Sequence, residues 1–305
     1  MTIFVSVAAY NDPWLWSTVA DCLLKATHPE ALTIAVVEQS NTPELGVLPN
    51  QIRYIHLEAK FGRGPCWARA LALSLYGDED YVLQIDSHTI FDEGWDEYMV
   101  GMLESLKEHS PKPLISTYPC SFESTPEGLV KNPHKGCALI MRPNSKAEMT
   151  DDNPAFGFIS IPTKSDVPIP GFHVGGGCIF ASGKLFLEVP YDPTLYFLGE
   201  EHSIAIRAWT RGWDIYHVPD VPIYHLYNTK NIDSDKLDRT VHWDEAEDKQ
   251  RTVRWWQHDE RSKARLRALL YEGADLGIYG LGTERSLQDF ADFSGVDYLT
   301  RTIKR

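Results

Sequence analysis

Two hydrophobic periods alternate along the first ninety residues. Residues 2–9 are mostly apolar or β-branched, which predicts a buried strand. Asp12-Pro13 then reads as a helix N-cap and first helical residue, and Leu15, Val19, Cys22, Leu23 and Ala26 follow at helical spacing. Thr33 to Val37 and Ile52 to Leu57 read as a second and a third strand. Gly64-Pro65 opens another helix with Trp67, Leu71 and Leu75 on one face. Tyr81 to Ile85 is a fourth strand, running straight into Asp86-Ser87-His88. This order predicts an α/β fold, a Rossmann-like, mostly parallel sheet with flanking helices. Ligands of such sheets bind beyond the carboxyl ends of strands, where Asp86 and His88 fall.

Residues 119–172 are rich in Pro, Gly, Ser and Asn and are expected to form loops and short strands of an acceptor-side surface. Gly175-Gly176-Gly177 leads into a short strand, Cys178 to Ala181. Glu200 to Arg211 reads as a helix, with Ile204/Ala208 and Ala205/Trp209 as its i, i+4 pairs and Gly212 as its C′ residue. Ile215 to His225 alternates strand and proline turns, and beyond about 229 the chain becomes charged and helical. The expected organisation is a catalytic unit over 1–228 and a helical C-terminal extension over 229–305 packed on it as one structural unit.

Charge narrows the partners. Lys and Arg number 29 against 43 Asp and Glu, a net charge of −14, which disfavours non-specific binding to nucleic acid. The five cysteines are scattered without a CxxC, so reduced and mostly buried thiols are expected rather than a disulfide framework or a structural zinc. The first residues lack a basic n-region, and no segment reaches the roughly 18 apolar residues of a membrane helix. The expectation is a cytoplasmic protein that makes no use of a membrane.

The candidate chemistry centres on Asp86 and His88. Alternate residues in a strand-end loop point the same way, so both can face one ion. A carboxylate with an imidazole suits Mn²⁺ or a similar divalent cation and leaves positions open for diphosphate oxygens. Taken alone, the motif fits a solvated aspartate beside a hydrogen-bonded histidine better. Its context, a long apolar strand before it and GWD after it, favours the ion.

Four segments, QIDSHTIF with GWD, GGGCIF, GEEHSIAIRAWTRGWDIYHVP and HLYN, resemble the cytoplasmic polypeptide α-N-acetylglucosaminyltransferases that modify hydroxyproline. More distantly they are similar to the polypeptide N-acetylgalactosaminyltransferases. The opening IFVSVAAYNDPWLWSTVADCL, the segment GRGPCWARALAL and the ending SLQDFADFSGVDY extend the resemblance over most of the chain. It implies the GT-A fold and a retaining, metal-dependent transfer of a hexose or N-acetylhexosamine from a UDP-sugar, such as UDP-GlcNAc, to an acceptor hydroxyl. The acceptor it implies is a hydroxylated protein side chain. Viral enzymes resembling this family act on 5-hydroxymethylpyrimidine in DNA, which stands as the alternative, and a non-catalytic nucleotide-sugar-binding module is the reading of another class. A metal-dependent hydrolase of another α/β fold would need a second carboxylate-rich metal site or a nucleophile, and neither is evident.

Residue by residue, the resemblance implies metal ligation by Asp86, His88 and His225. It implies donor contacts from Ala8, Tyr10 and Asp12 in the first loop, from Arg69, from Asp86 and Ser87, and from Gly176 and Gly177. Glu200 matches an acid that binds donor-sugar hydroxyls, with Glu201 beside it, and both are candidate catalytic residues. The first loop departs from the family, with Tyr10-Asn11-Asp12 where Tyr-Arg-Asp is expected. Each position also has a plainer reading: His225 as a core histidine, Arg69 as a solvated helix arginine, the glycines as a hairpin turn, and the glutamates as first-turn acids. His56, His134, His173 and His217 are expected to be structural, His173 doubling as an acceptor-side candidate. Arg251 to Arg267 interleaves Arg251, Arg254, Arg261, Lys263, Arg265 and Arg267 with Trp255 and Trp256. That pattern fits a nucleic-acid contact or, with Asp259 and Glu260, a solvated amphipathic helix.

Overall fold

The computed structural model describes residues 1–43, 48–227 and 240–304. In chain order the elements are β1 (Ile3–Tyr10), α1 (Leu15–Lys25), β2 (Leu32–Gln39), β3 (Ile52–Leu57), α2 (Pro65–Leu73), β4 (Tyr81–Asp86), β5 (Thr89–Phe91) and α3 (Trp95–Leu106). There follow β6 (Pro113–Ser116), β7 (Cys120–Thr125), β8 (Gly128–Lys131), β9 (Cys137–Pro143), β10 (Phe158–Lys164), β11 (Ile169–Gly171) and β12 (Cys178–Ser182). The remainder comprises α4 (Leu185–Glu188), α5 (Glu200–Trp209), β13 (Asp214–His217), β14 (Ile223–His225), α6 (Glu245–Asp248), α7 (Trp255–Leu270), α8 (Leu287–Ser294), β15 (Val296–Asp297) and β16 (Thr302–Ile303).

Eight strands form the central sheet in the order β11-β13-β6-β12-β4-β1-β2-β3. The half built from β4, β1, β2 and β3 is parallel, as the alternation of strands and helices requires. The other half is mixed: β12 runs antiparallel to both β4 and β6, and β11 antiparallel to β13. Successive residues of β1 go to opposite faces. Phe4 joins one apolar cluster with α2, α5, α7 and α8, while Ile3, Val5 and Val7 join another with α1 and α3. Burial on both faces explains why β1 and β2 read as apolar runs rather than as alternation. Among the described residues no helix is long and apolar enough to cross a membrane.

One expectation changes and two gain detail. Helix α1 begins at Leu15, not Pro13, because the Asp12 carboxylate accepts from Trp14 N (2.9 Å) and forms a turn ahead of the helix. In α2 the buried stripe is Cys66, Ala68, Arg69 and Ala72, with Trp67 and Leu71 half-buried and Leu75 beyond the helix end. The segment 119–172 holds loops and short strands as expected, among them two hairpins, β7-β8 and β9-β10. Gly212 does lie in the left-handed region (φ 79°) after α5, and Trp213 N turns back to Ala208 O (3.0 Å). The boundary expected at 228/229 lies outside the described residues. On its far side, Leu266, Leu269 and Leu270 of α7 and Phe290 of α8 share one apolar cluster with α2 and α5.

Candidate functional site

Asp86 ends β4 where the strand order reverses: β1 has β2 and then β3 on one side and β4 on the other, with β12 antiparallel beyond β4. Such a switch opens a crevice at the strand ends. His88 follows two residues later. His225 arrives from a smaller sheet, β5-β14-β7-β8, in which it is opposite Thr89, and Leu226 N bonds to His88 O (3.0 Å). Backbone pairing thus carries a residue 137 positions away to the DxH loop.

The ligand atoms of Asp86, His88 and His225 all lie within 4.8 Å of one another, and among the described residues they form the one such group of three. His225 Nε2 is 3.0 Å from Asp86 Oδ2 and 3.0 Å from His88 Nε2. Octahedral bonds of about 2.1 Å place neighbouring ligand atoms about 3 Å apart, so the spacing fits a cation shared by these groups. Two imidazoles with one carboxylate suit a borderline divalent ion. Burial disfavours the charge on Asp86, but Arg69 and the two imidazoles outweigh it and hold the carboxyl well below the usual range.

Arg69 is 4% exposed. Its guanidinium bonds to Asp86 Oδ1 (2.5 Å) and to Glu200 Oε1. The other oxygen of Glu200 accepts from Cys66 Sγ (3.1 Å). Both oxygens of Glu200 are therefore committed to protein groups. Glu201 reaches further into the open, with Oε1 accepting from Gly176 N (2.7 Å) and Oε2 from Tyr118 Oη (2.6 Å). Burial pushes both carboxyls up, opposed by Arg69 at Glu200 and by the Tyr118 hydroxyl at Glu201. A Cβ on Gly176 would lie 2.8 Å from Arg69 Nη1 and 2.9 Å from Glu200 Oε1, and one on Gly177 would lie 3.0 Å from Asp86 Oδ2. The glycines are needed here for close approach to side chains of the site itself.

The first loop is clasped by the C-terminal part of the chain. Tyr10 Oη donates to Glu247 (2.8 Å) and accepts from Arg251, and Asn11, at φ 42°, also donates to Glu247 (3.1 Å). Asparagine tolerates that left-handed backbone better than most residues, which gives its presence between Tyr10 and Asp12 a local reason. Ser87 Oγ donates to Asp12 Oδ2 (2.7 Å).

A cavity of about 500 Å³ joins these parts. Its lining includes Ala8, Tyr10, Asp12, Arg69, Asp86, Ser87, His88, Gly176, Gly177, Glu200, Glu201 and His225, all twelve residues read from the sequence as metal, donor or catalytic candidates. It also includes Tyr118, Phe197, Tyr227, His242 and Trp243, which sequence reasoning missed. Tyr227 sits two residues past His225 in the same strand-end segment and could have been found from that spacing. The others come from loops without a local motif.

The remaining candidates lie apart. His173 is buried behind Glu201, stacked on Phe158 (ring centroids 3.5 Å apart) and 3.7 Å from Glu201 Oε2. His217 is wholly buried and bonded to Ser116 O (2.7 Å), and His56 bonds to Ser40 O (2.9 Å). His134 is exposed. All five cysteines are free thiols, of which Cys22, Cys66 and Cys178 are buried. In the basic segment, Arg251 is buried, Arg254 pairs with Asp248 (3.3 Å), Lys263 with Asp259 (2.7 Å) and Arg265 with Asp192 (2.7 Å), and Arg267 donates to Asp152 O (2.9 Å). Arg261 is exposed, but the other five are taken up within the fold rather than held out as a phosphate-binding stripe.

The chain matches the family described as Glycosyltransferase (GlcNAc) over residues 2–49 and 44–300. No curated protein sequence matches it. Among solved structures it is similar to GalNAc-T7 in complex with UDP, GalNAc and Mn²⁺, at 16% identity and a TM-score of 0.56. That match covers 74% of this chain and 43% of GalNAc-T7, and at this identity it is a likeness of fold, that of the GT-A glycosyltransferases. TarS of S. aureus (residues 1–349) matches with 16% identity and a TM-score of 0.45, covering 74% of this chain and 60% of the other. The chain thus spans about half the length of these structures.

Proposed function

The chain belongs to the glycosyltransferase (GlcNAc) family, and we propose that it transfers a hexose or N-acetylhexosamine from a UDP-sugar to an acceptor hydroxyl with retention of configuration. A divalent cation, Mn²⁺ foremost, is held by Asp86, His88 and His225. The observation that carries this reading is the convergence of those three ligands on the floor of the cavity at the carboxyl end of β4. GalNAc-T7, of similar fold, was solved with UDP, GalNAc and Mn²⁺, which supports the same use of the cavity here. When bound, such an ion neutralises charge on a departing nucleotide diphosphate.

The chain's own groups then divide the work. Arg69 holds Asp86 ionised and adds positive potential beside the diphosphate. Gly176 and Gly177 let the sugar and the acidic pair approach one another closely. Both oxygens of Glu200 already accept from Arg69 and Cys66, so it is not set out as a dedicated general base, which accords with a retaining reaction in which the leaving phosphate receives the acceptor proton. The acceptor is a hydroxylated protein side chain met in the cytoplasm. The internal pairing of Arg254, Lys263 and Arg265 weighs against DNA.

The test is a panel of UDP-sugars incubated with the protein and Mn²⁺, followed by release of UDP, with hydroxylated peptides and 5-hydroxymethylpyrimidine DNA as acceptors. Slow Mn²⁺-dependent hydrolysis of one donor, accelerated by a peptide acceptor, is the expected outcome. UDP binding of equal strength in EDTA removes the cation from the reading, and acceleration by DNA alone replaces the acceptor.

A further inference from the structure

Asp12 entered as a donor contact, yet its carboxylate faces protein groups. Its side chain is only 6% exposed. Oδ1 accepts from Trp14 N (2.9 Å), and Oδ2 accepts from Ser87 Oγ (2.7 Å) and lies 2.6 Å from His88 Nδ1. A carboxylate offers only lone pairs, so His88 Nδ1 must carry the proton in that bond. The other ring nitrogen of a neutral His88 is then bare of a proton. That nitrogen, Nε2, points at the cluster, 3.0 Å from His225 Nε2.

We propose that Asp12 is a positioning residue: it locks His88 as the Nδ1–H tautomer and aims the bare Nε2 at the cation site. The proposal rests on the reading of Asp86, His88 and His225 as ligands. A carboxylate behind a ligating imidazole fixes its orientation and raises its basicity, and loss of such a partner typically costs about 10–100-fold in metal affinity. Asp12 can do this because of where the sequence puts it. It stands at the end of β1, which neighbours β4, and the turn that starts α1 fixes its other oxygen. His225 has no equivalent support, for its Nδ1 is buried and without a hydrogen-bond partner. In the metal-free cluster, His225 Nε2–H can donate to Asp86 Oδ2 or to the bare nitrogen of His88. The two histidines are thus unequal: one preset for ligation by Asp12, the other obliged to change tautomer.

Asp12→Asn separates positioning from folding. The amide oxygen can still accept from Trp14 N, so the turn into α1 survives. The amide nitrogen, placed against His88 Nδ1, donates to it and moves the ring proton to Nε2, where it blocks a metal bond. Two measurements read this. ¹⁵N-histidine NMR of the metal-free protein near pH 8, with His88 signals assigned by their loss in His88→Ala, reports the tautomer. Paramagnetic titration with Mn²⁺ alone, without donor, reports affinity. Wild type should show His88 as Nδ1–H. Asp12→Asn should show Nε2–H and bind Mn²⁺ about 10–100-fold more weakly, with its melting temperature in EDTA unchanged. An unchanged His88 tautomer in Asp12→Asn overturns the proposal, as does a changed tautomer with wild-type Mn²⁺ affinity. A wild-type chain that binds no Mn²⁺ while the tautomer still switches overturns the cation reading and supports the hold of Asp12 on His88.

Discussion

Glu200 and Glu201 are neighbours in sequence with different environments. The carboxylate of Glu200 is shared between Arg69 and Cys66, in a site so buried that Arg69 has few other partners. Replacing Glu200 by Gln leaves the guanidinium with Asp86 as its remaining anion. Breaking a buried pair from one side costs about 3–5 kcal/mol, because a buried charge is left uncompensated. Glu201 accepts one backbone bond and one tyrosine bond, and a Gln can keep the first and accommodate the second by turning the Tyr118 hydroxyl. Glu201→Gln should therefore cost about 1 kcal/mol or less while lowering kcat. Thermal melts and steady-state kinetics on both variants check this. Equal melting temperatures would show that Glu200 does not anchor Arg69. At this scale the sequence supplied residue types and a family order, enough to gather all twelve candidates around one cavity. It did not supply the pairing of Arg69 with Glu200, 131 positions away, which decides that Arg69 is buried rather than solvated.

Elements built from uninterrupted apolar runs were the easiest to read. β1, β2 and β4 are covered on both faces, so their composition signals strand and core at once. The hairpins β7-β8 and β9-β10 were harder, since β8 is almost wholly exposed and β10 is partly so, and their residues resemble those of turns. Helix α2 was legible as a helix, but its most buried stripe was not, because Trp67 and Leu71, at i, i+4 spacing, are only half-buried while an arginine takes a buried position. The Gly175–Gly177 turn before β12 was legible as a turn but not in its purpose, which is to pass close beneath Asp86 and Arg69. Gly177→Ala tests that purpose. Its new methyl would lie 3.0 Å from Asp86 Oδ2 and 3.5 Å from His225 Cδ2, so the ligand carboxylate has to move. The expected result is Mn²⁺ affinity lower by about 10-fold, of the order seen when groups supporting a metal ligand are disturbed, with secondary structure intact by circular dichroism. Wild-type Mn²⁺ affinity would mean that Asp86 has room to spare.

The whole molecule stores an acid sensitivity away from the cavity floor. His173, His202 and His217 are buried near one another beside the β11-β13 edge and the β9-β10 hairpin. Burial lowers all three below the ordinary value of 6.5, His202 to about 3, His217 to about 4 and His173 well below, and neighbouring cationic forms add to the shift. Each is neutral in the native chain and titrates near 6.5 once unfolded. Below 6.5 the unfolded chain binds protons that the native chain cannot, so stability falls as pH falls. The loss begins near 6.5 and continues until pH reaches each folded value, at about 1.4 kcal/mol per group one unit below 6.5. Three such groups together amount to roughly 4 kcal/mol at pH 5.5, a large part of a typical domain's stability. His217 is the group on which to test this, since it touches none of the proposed ligands. Its Nδ1 lies 2.7 Å from Ser116 O, and its Nε2 accepts from Met141 N (3.4 Å), so a second proton on the ring would meet a donor. His217→Gln can imitate both bonds without titrating. Urea melts from pH 7.5 to 5.5 should show wild-type stability falling by several kcal/mol, and the variant's fall should be smaller by about 1.4 kcal/mol at pH 5.5. If the two curves run parallel, His217 takes up its proton without cost, and the acid sensitivity belongs to other groups.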